Sequence, residues 1–476
     1  MSRLLKRILI IAGGAAALLL LVALAVYLLV DADRYRPRLE AAATEALGMD
    51  VRIGGRLRLG IFPGLHLTAD DGLVRDERGA VVASAKRTRF GIALLPLLRG
   101  QLRLGRLEVS QFRIAIERSP EGTLSVERLK QAAALVGLLD GASVSLADGT
   151  ILYTDRRSGD TIEATGLGLN VKRLRLASGT GAGLAKGLSL AAELDCREIR
   201  TKDFSVSALK ASIRGKDGVL QFAPVTMGIF GGQGSGSLAA DLSGPVPVYQ
   251  LRYSLPQFRI EQFLAILSPK SAAEGAMDFT ASLSMQGAPG SRLVETAAGE
   301  ISLRSGHLTL VGNDLDRVLS RFESSQGFNL VDVGAVFFAG PLGLAVTKGY
   351  GFASLFRGSG GNTDIRMLVS DWQLEGGVAH ARDVALATTR NRVALEGGLD
   401  FVHERFVDLT VAAVNEDGCV RVRQVIRGPF AKPEVEKPRV LASLAGPVLK
   451  AYRQTRGLFP AGPCEVFYSG SVPPPN

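Results

Sequence analysis

The chain has 476 residues, 46% of them hydrophobic and 21% charged, with a formal net charge of +10. That balance excludes a disordered chain, because it can bury a core. The Lys and Arg residues are scattered, without runs interleaved with aromatics, so no nucleic acid is expected as a partner.

The first element is an uncharged apolar run, Ile8 to Val30, that includes Leu18, Leu20, Val22 and Tyr27. As a helix it would be roughly 34 Å long, enough to cross a hydrocarbon core of about 30 Å. Arg3, Lys6 and Arg7 precede it, and Arg34, Arg36 and Arg38 follow. Short-loop charge bias therefore gives little orientation, but long domains translocate largely regardless of charge. The expectation is a basic cytoplasmic stub and an exported C-terminal bulk. Ala23-Leu24-Ala25 offers the alternative of a cleaved signal peptide. The apolar stretch continues through Val30, longer than such a peptide needs, and favours an uncleaved anchor.

Residues 33–47 carry Tyr35, Leu39, Ala42, Ala43, Ala46 and Leu47 near helical spacing, with Gly48 suited to the C′ position. Alternation then takes over in Val51, Ile53, Leu57 and Leu59, around Gly54-Gly55. In 102–116 the apolar phase changes twice. Leu102 and Leu104 share one phase, Leu107 and Val109 take the other, and Phe112, Ile114 and Ile116 return to the first. A phase change turns an apolar set to the opposite face, so bulges or bends are expected at Gly105 and at Ser110-Gln111.

Few helices are expected beyond the first: 125–139, 314–323 and 439–454. Two hairpins can be drawn with registers. A two-residue loop at Ser305-Gly306 sets Leu303 opposite Leu308 and Ile301 opposite Leu310. A three-residue loop at His403–Arg405 pairs Phe401 with Val407 and Leu399 with Leu409. Ile301, Leu303, Leu308, Leu310, Leu399 and Phe401 are thus candidates to line an apolar sheet face. The fold class expected is mainly β: a transmembrane helix, then an elongated, curled antiparallel sheet forming an open groove, with a few short helices. The expected divisions are 1–30 (stub and anchor), 31–285, 286–438 and 439–476 (C-terminal helix and tail), with the Pro-rich end from Val472 frayed.

Catalytic motifs are absent from the sequence. His66, His307, His380 and His403 lie far apart, and no GxSxG, GxxxxGK[ST] or GxGxxG occurs. Gly231-Gly232 through Gly236 lacks the lysine of a phosphate loop and reads as a turn. Asp70-Asp71 and Glu416-Asp417 read as solvated turns. No enzymatic activity, cofactor or metal is expected. Cys196, Cys419 and Cys464 form no CxxC pair. In an oxidising compartment Cys419 and Cys464 are expected to pair, leaving Cys196 free; three unpaired thiols are the alternative.

The order of these features resembles the AsmA family of bacterial envelope proteins. The resemblance rests on the anchor followed by 31–74, with Gly48, Gly55 to Leu59, and Pro63 with Leu65. Leu94 to Gly100, the Phe230-Gly231-Gly232 turn, FFAGPLGL at 337–344, 383–401 and Gly418 to Pro429 extend it; 120–215 matches poorly. It implies an inner-membrane anchor, an elongated periplasmic β structure open along one side, and passage of phospholipids through the envelope. Inner membrane, phospholipids and other envelope assembly proteins are the partners it implies. The alternative it leaves open is a non-transporting structural or regulatory factor for outer-membrane assembly.

Overall fold

The structure is a computed structural model that describes residues 32–62, 64–93, 96, 103–125, 139–175, 188–267, 273–288, 293–312, 314–322, 360–436, 439–440, 464 and 466–475. The expected anchor (Ile8, Leu18, Leu20, Val22, Tyr27, Val30), the helix over 126–138, residues 441–454 and the 337–344 motif lie outside them. Among the described residues no helix is long and apolar enough to cross a membrane. The chain is mainly β, with a large mixed sheet and few short helices. It divides into two compact units, Met1–Phe222 and Ala223–Asn476.

The first unit opens with a 3-10 turn, Ala32–Tyr35, and helix α1, Arg36–Leu47. Gly48 ends α1 in the left-handed conformation (φ +66°) and donates its N–H to Thr44 O at 2.8 Å, the C′ role expected of it. The strands follow as β1 (Asp50–Ile53), β2 (Leu57–Gly60), β3 (His66–Arg75), β4 (Val81–Ile92), β5 (Leu104–Arg118), β6 (Ser143–Asp155), β7 (Thr161–Arg175), β8 (Ser189–Arg200) and β9 (Ser205–Lys216). β1 and β2 both pair with β3, along its two halves, and β3 to β9 pair in chain order. The β5–β6 pair is parallel, which departs from the antiparallel sheet expected. A parallel return needs a connection of a dozen residues or more, and residues 119–142 supply it.

Asp70 and Asp71 form no turn but lie inside β3. The Asp70 carboxylate accepts Arg87 Nε at 3.0 Å and Arg58 Nη2 at 2.7 Å, so ion pairing across strands replaces solvation. Hydrogen bonding from Arg87 is the main reason its pKa lies below the ordinary carboxylate value.

β10 (Val219–Ile229) contains the division between units. Phe230 and Gly231, both at positive φ, make the expected turn into β11 (Gly232–Asp241). Next come β12 (Val248–Arg259), α2 (Ile260–Leu267), β13 (Ala273–Gln286), β14 (Ala298–Ser305), β15 (Leu308–Leu310) and α3 (Leu315–Phe322). The unit continues with β16 (Thr363–Glu375), β17 (Val378–Thr388), β18 (Arg392–Asp400), β19 (Arg405–Val414) and β20 (Val420–Pro429). Short β21 (Glu434–Val435) and β22 (Arg439–Val440) pair with β20, so the helix expected from 439 begins instead as a strand. Helix α2 was not anticipated, although Ile260, Phe263 and Leu264 sit at i, i+3 and i+4 and are all buried.

The two expected hairpins differ from what forms. β14 and β15 do not pair with each other; both lie between β13 and β16. They are one strand position interrupted by a bulge. The Ser305 hydroxyl donates to Ala276 O at 2.7 Å and accepts the His307 N–H at 3.2 Å. The extra residue restores alternation, so Leu303 and Leu308 share a face despite their odd spacing. β18 and β19 do form a hairpin, but Leu399 faces Phe406 and Gly398 faces Val407, with Phe401 in the loop. Asp400 sets that register. Its carboxylate accepts the N–H groups of Val402 and His403 and the side chains of His403 and Arg405.

The tail is docked, not frayed. Val472 is fully buried. Its N–H bonds the Tyr468 hydroxyl at 2.9 Å, and its carbonyl accepts Arg392 Nη1 at 3.0 Å.

Candidate functional site: an apolar sheet face

The six residues proposed from the sequence as groove lining lie in the second unit. Ile301, Leu303, Leu308, Leu310 and Leu399 are at most 6% exposed. They pack with Ile260, Phe263 and Leu264 of α2, Leu315 and Leu319 of α3, and Trp372, while Phe401 is half-buried against the same cluster. The apolar face is real, but two helices and its own side chains fill it, so these positions have no open face to offer a guest. Sequence periodicity identifies an apolar face and does not tell whether another element covers it.

Part of the opposite face, over β16 to β19, is covered too. Val369, Ala385, Ala387, Ala394, Ala412 and Val414 pack against Tyr468 and Val472 of the tail. A disulfide joins Cys419 to Cys464, with Cα atoms 5.7 Å apart, and Cys196 is free and buried. The Tyr468 hydroxyl donates to Asp383 Oδ1 at 2.6 Å, and Ser471 donates its N–H and hydroxyl to Asp383 Oδ2. Burial and the Asp383 carboxylate together push the Tyr468 phenol above its ordinary pKa.

The first unit is different. Following cross-strand partners from β2 to β9 gives one apolar row: Leu59, Leu67, Phe90, Leu107, Val144, Val171, Ala192 and Ile213. A second row runs Leu57, Ala69, Thr88, Val109, Leu146, Leu169, Leu194 and Ala211. A third starts on β1: Val51, Val74, Ala83, Ile114, Ile151, Ala164, Ile199 and Val206. Direct partners share a face. Most of these side chains are only half-buried, in contrast to the second unit.

The intervening row has the opposite character: Arg58, Thr68, Arg89, Glu108, Ser145, Asn170, Glu193 and Ser212. Arg89 pairs with Glu108 at 3.4 Å, and the Ser212 hydroxyl donates to Glu193 at 2.8 Å. One face of this sheet is thus greasy and the other is laced with charge.

The phase changes read from the sequence are how the three apolar rows stay together. At Gly105 the β4–β5 register shifts, passing from Arg106 opposite Gly91 to Leu104 opposite Ile92. Farther along, left-handed residues cross the sheet: Asp71 in β3, Gln111 in β5, Asp148 in β6, Gly166 in β7 and Ala208 in β9. Alternation changes phase there and the face is kept. Leu67 and Ala69, before Asp71, pack in one cluster with Ile53, which faces Gly72 beyond it; Leu39 of α1 joins them. Between the second and third rows, Gly149 leaves room for the Phe112 ring. Leu167, Cys196 and Leu209 continue across β7 to β9. Burial raises the pKa of the Cys196 thiol, whose Sγ is within 3.5 Å of Thr165 O and 3.4 Å of Glu198 O, which makes it a packed apolar group and not a nucleophile.

From β2 to β9 the first row spans seven strand steps, about 34 Å at roughly 4.8 Å per step. One leaflet of hydrocarbon is about 15 Å thick, half of a core of about 30 Å. A row is therefore long enough to hold one acyl chain lying across the strands.

The AsmA family model matches residues 1–185 and again residues 186–380. No curated protein matches the chain.

Proposed function

Because the chain belongs to the AsmA family, we propose that it is a membrane-tethered envelope protein whose first unit carries phospholipid acyl chains on the apolar face of β2 to β9. The continuous half-buried rows are the observation that carries this reading. An acyl chain laid on them leaves water at roughly 0.8 kcal/mol per buried CH₂. The rows are Leu, Val, Ile, Ala and Phe broken by one hydroxyl, Thr88, and carry no charged anchor along their length, so a bound chain can slide. In this reading the Ile8–Val30 run is the inner-membrane anchor, the bulk of the chain is periplasmic, and the protein is not an enzyme.

The test is photo-crosslinking on the full chain in phospholipid vesicles. Crosslinkers at Leu107, Leu146 and Leu169 should capture acyl chains, and those at Ser145 and Asn170 should not. Equal capture from both faces would sink the reading.

The filled interior of the second unit favours a second role for that half: holding or restraining an envelope assembly component. That role predicts a protein partner retained by the second unit, with no lipid captured at Leu303 or Leu308.

A further inference from the structure

We propose that the β2–β3 connection, through Ile61 and Phe62, dips into the phospholipid bilayer interface, forming the edge where acyl chains pass between membrane and sheet. This rests on the lipid-carrying reading above and assigns its membrane contact.

The chain direction at this end is fixed by a series of bonds. Val51 N–H bonds Thr44 Oγ1, Ile53 N–H bonds Glu40 Oε1, Arg36 bonds the carbonyls of Ile53 and Gly55, and Leu57 N–H bonds Asp33 Oδ1. Residues 51 to 57 therefore run back along α1, from its distal end to its start. β2 keeps going. Phe62 lies five residues beyond Leu57 and two beyond the end of β2, at most about 16 Å at roughly 3.3 Å per residue. Val30, the end of the apolar run, is three residues before Asp33, at most about 10 Å of extended chain. Phe62 thus lies beyond the start of α1, the end of the helix that follows the apolar run in the chain.

The side chains suit a bilayer surface. Phe62 is 88% exposed, Tyr35 52% and Ile61 36%. Singly exposed apolar residues are ordinary, but here two aromatics and an isoleucine stand at the end from which the apolar run departs. Arg34, Arg38 and Arg56 are exposed at the same end, where anionic headgroups would meet them. The contact is also continuous with the apolar face: Leu59, three residues before Phe62, begins the row that runs through Leu67 and Phe90 to Ile213.

The experiment uses the full chain with Cys196→Ser, reconstituted in vesicles of phosphatidylethanolamine and phosphatidylglycerol. An environment-sensitive fluorophore is attached at Phe62→Cys or, as control, at Ile162→Cys, an exposed residue just beyond the β6–β7 turn at the opposite ends of the strands. Label at 62 should shift to the blue and be quenched several-fold more by spin-labelled lipid than label at 162. Equal, weak quenching at both positions would overturn the proposal. Acyl capture at Leu107 reads the lipid-carrying proposal separately. Capture without quenching at 62 defeats only the membrane contact. Quenching at 62 without capture defeats only the lipid-carrying reading.

Discussion

Phe112 lies against Gly149 so closely that a Cβ at 149 would come within 2.0 Å of the ring. The pair sits where β5 and β6 run parallel and where Gln111 and Asp148 adopt positive φ. A large ring beside a residue without a side chain lets the apolar face pass through this irregular line without a gap.

Gly149→Ala should therefore expel the Phe112 ring and cost about 1–3 kcal/mol, the usual range for overpacking. Combining it with Phe112→Leu should recover part of the loss. Thermal unfolding of the two variants and the double variant checks this. A Gly149→Ala chain as stable as the parent would show that the ring has room to move.

Leu146→Gln with Leu169→Gln should weaken acyl binding while leaving the chain folded, since both side chains are half-buried partners on the open face. Each of these half-buried leucines has at most about 1 kcal/mol left to give a bound chain, at most about 2 kcal/mol together, a loss of up to about 30-fold. Fluorescent fatty-acid titration reads it, with Asn170→Gln on the polar face as the control that leaves affinity unchanged.

Cys464→Ser should loosen the tail. The disulfide closes a loop with a sequence separation of 45, for which chain entropy gives about 4 kcal/mol. The melting temperature should fall, and protease should cut near Tyr468 before the sheet is attacked. An unchanged melt and an intact tail would mean that the Tyr468, Ser471 and Arg392 bonds suffice alone.

Asp383→Asn should remove part of the acid sensitivity of the second unit. Burial by itself would raise the pKa of Asp383, but hydrogen bonds donated by Ser471 and Tyr468 outweigh it and hold it below the ordinary carboxylate value. A depressed pKa contributes stability that is complete above the unfolded value of about 3.9 and is lost as pH falls through the folded value. Wild type should exceed the variant at pH 7, and the difference should shrink below about pH 4. Denaturant midpoints across that range test it; a constant difference would contradict the assignment.

Local features were legible in the residues alone. Alternation identified the strand segments, Gly48 the end of α1, and the phase changes at Gly105 and Ser110-Gln111 the irregularities of β5, because period and turn chemistry act over a few residues. The Leu303–Leu308 and Leu399–Leu409 registers were misjudged. There the first turn was decided by Ser305 bonding Ala276, a bond that exists only after distant strands meet, and the second by Asp400 gathering His403 and Arg405, a local polar network to which apolar alternation is blind. Which apolar face stays open was likewise left to the tertiary structure. Leu303 and Leu107 look alike in their strands, yet Leu303 is packed in one cluster with residues of α2 and α3, while Leu107 is only half-buried on an apolar row continuous across the sheet. Coverage depends on elements remote in the chain, and no local pattern encodes it.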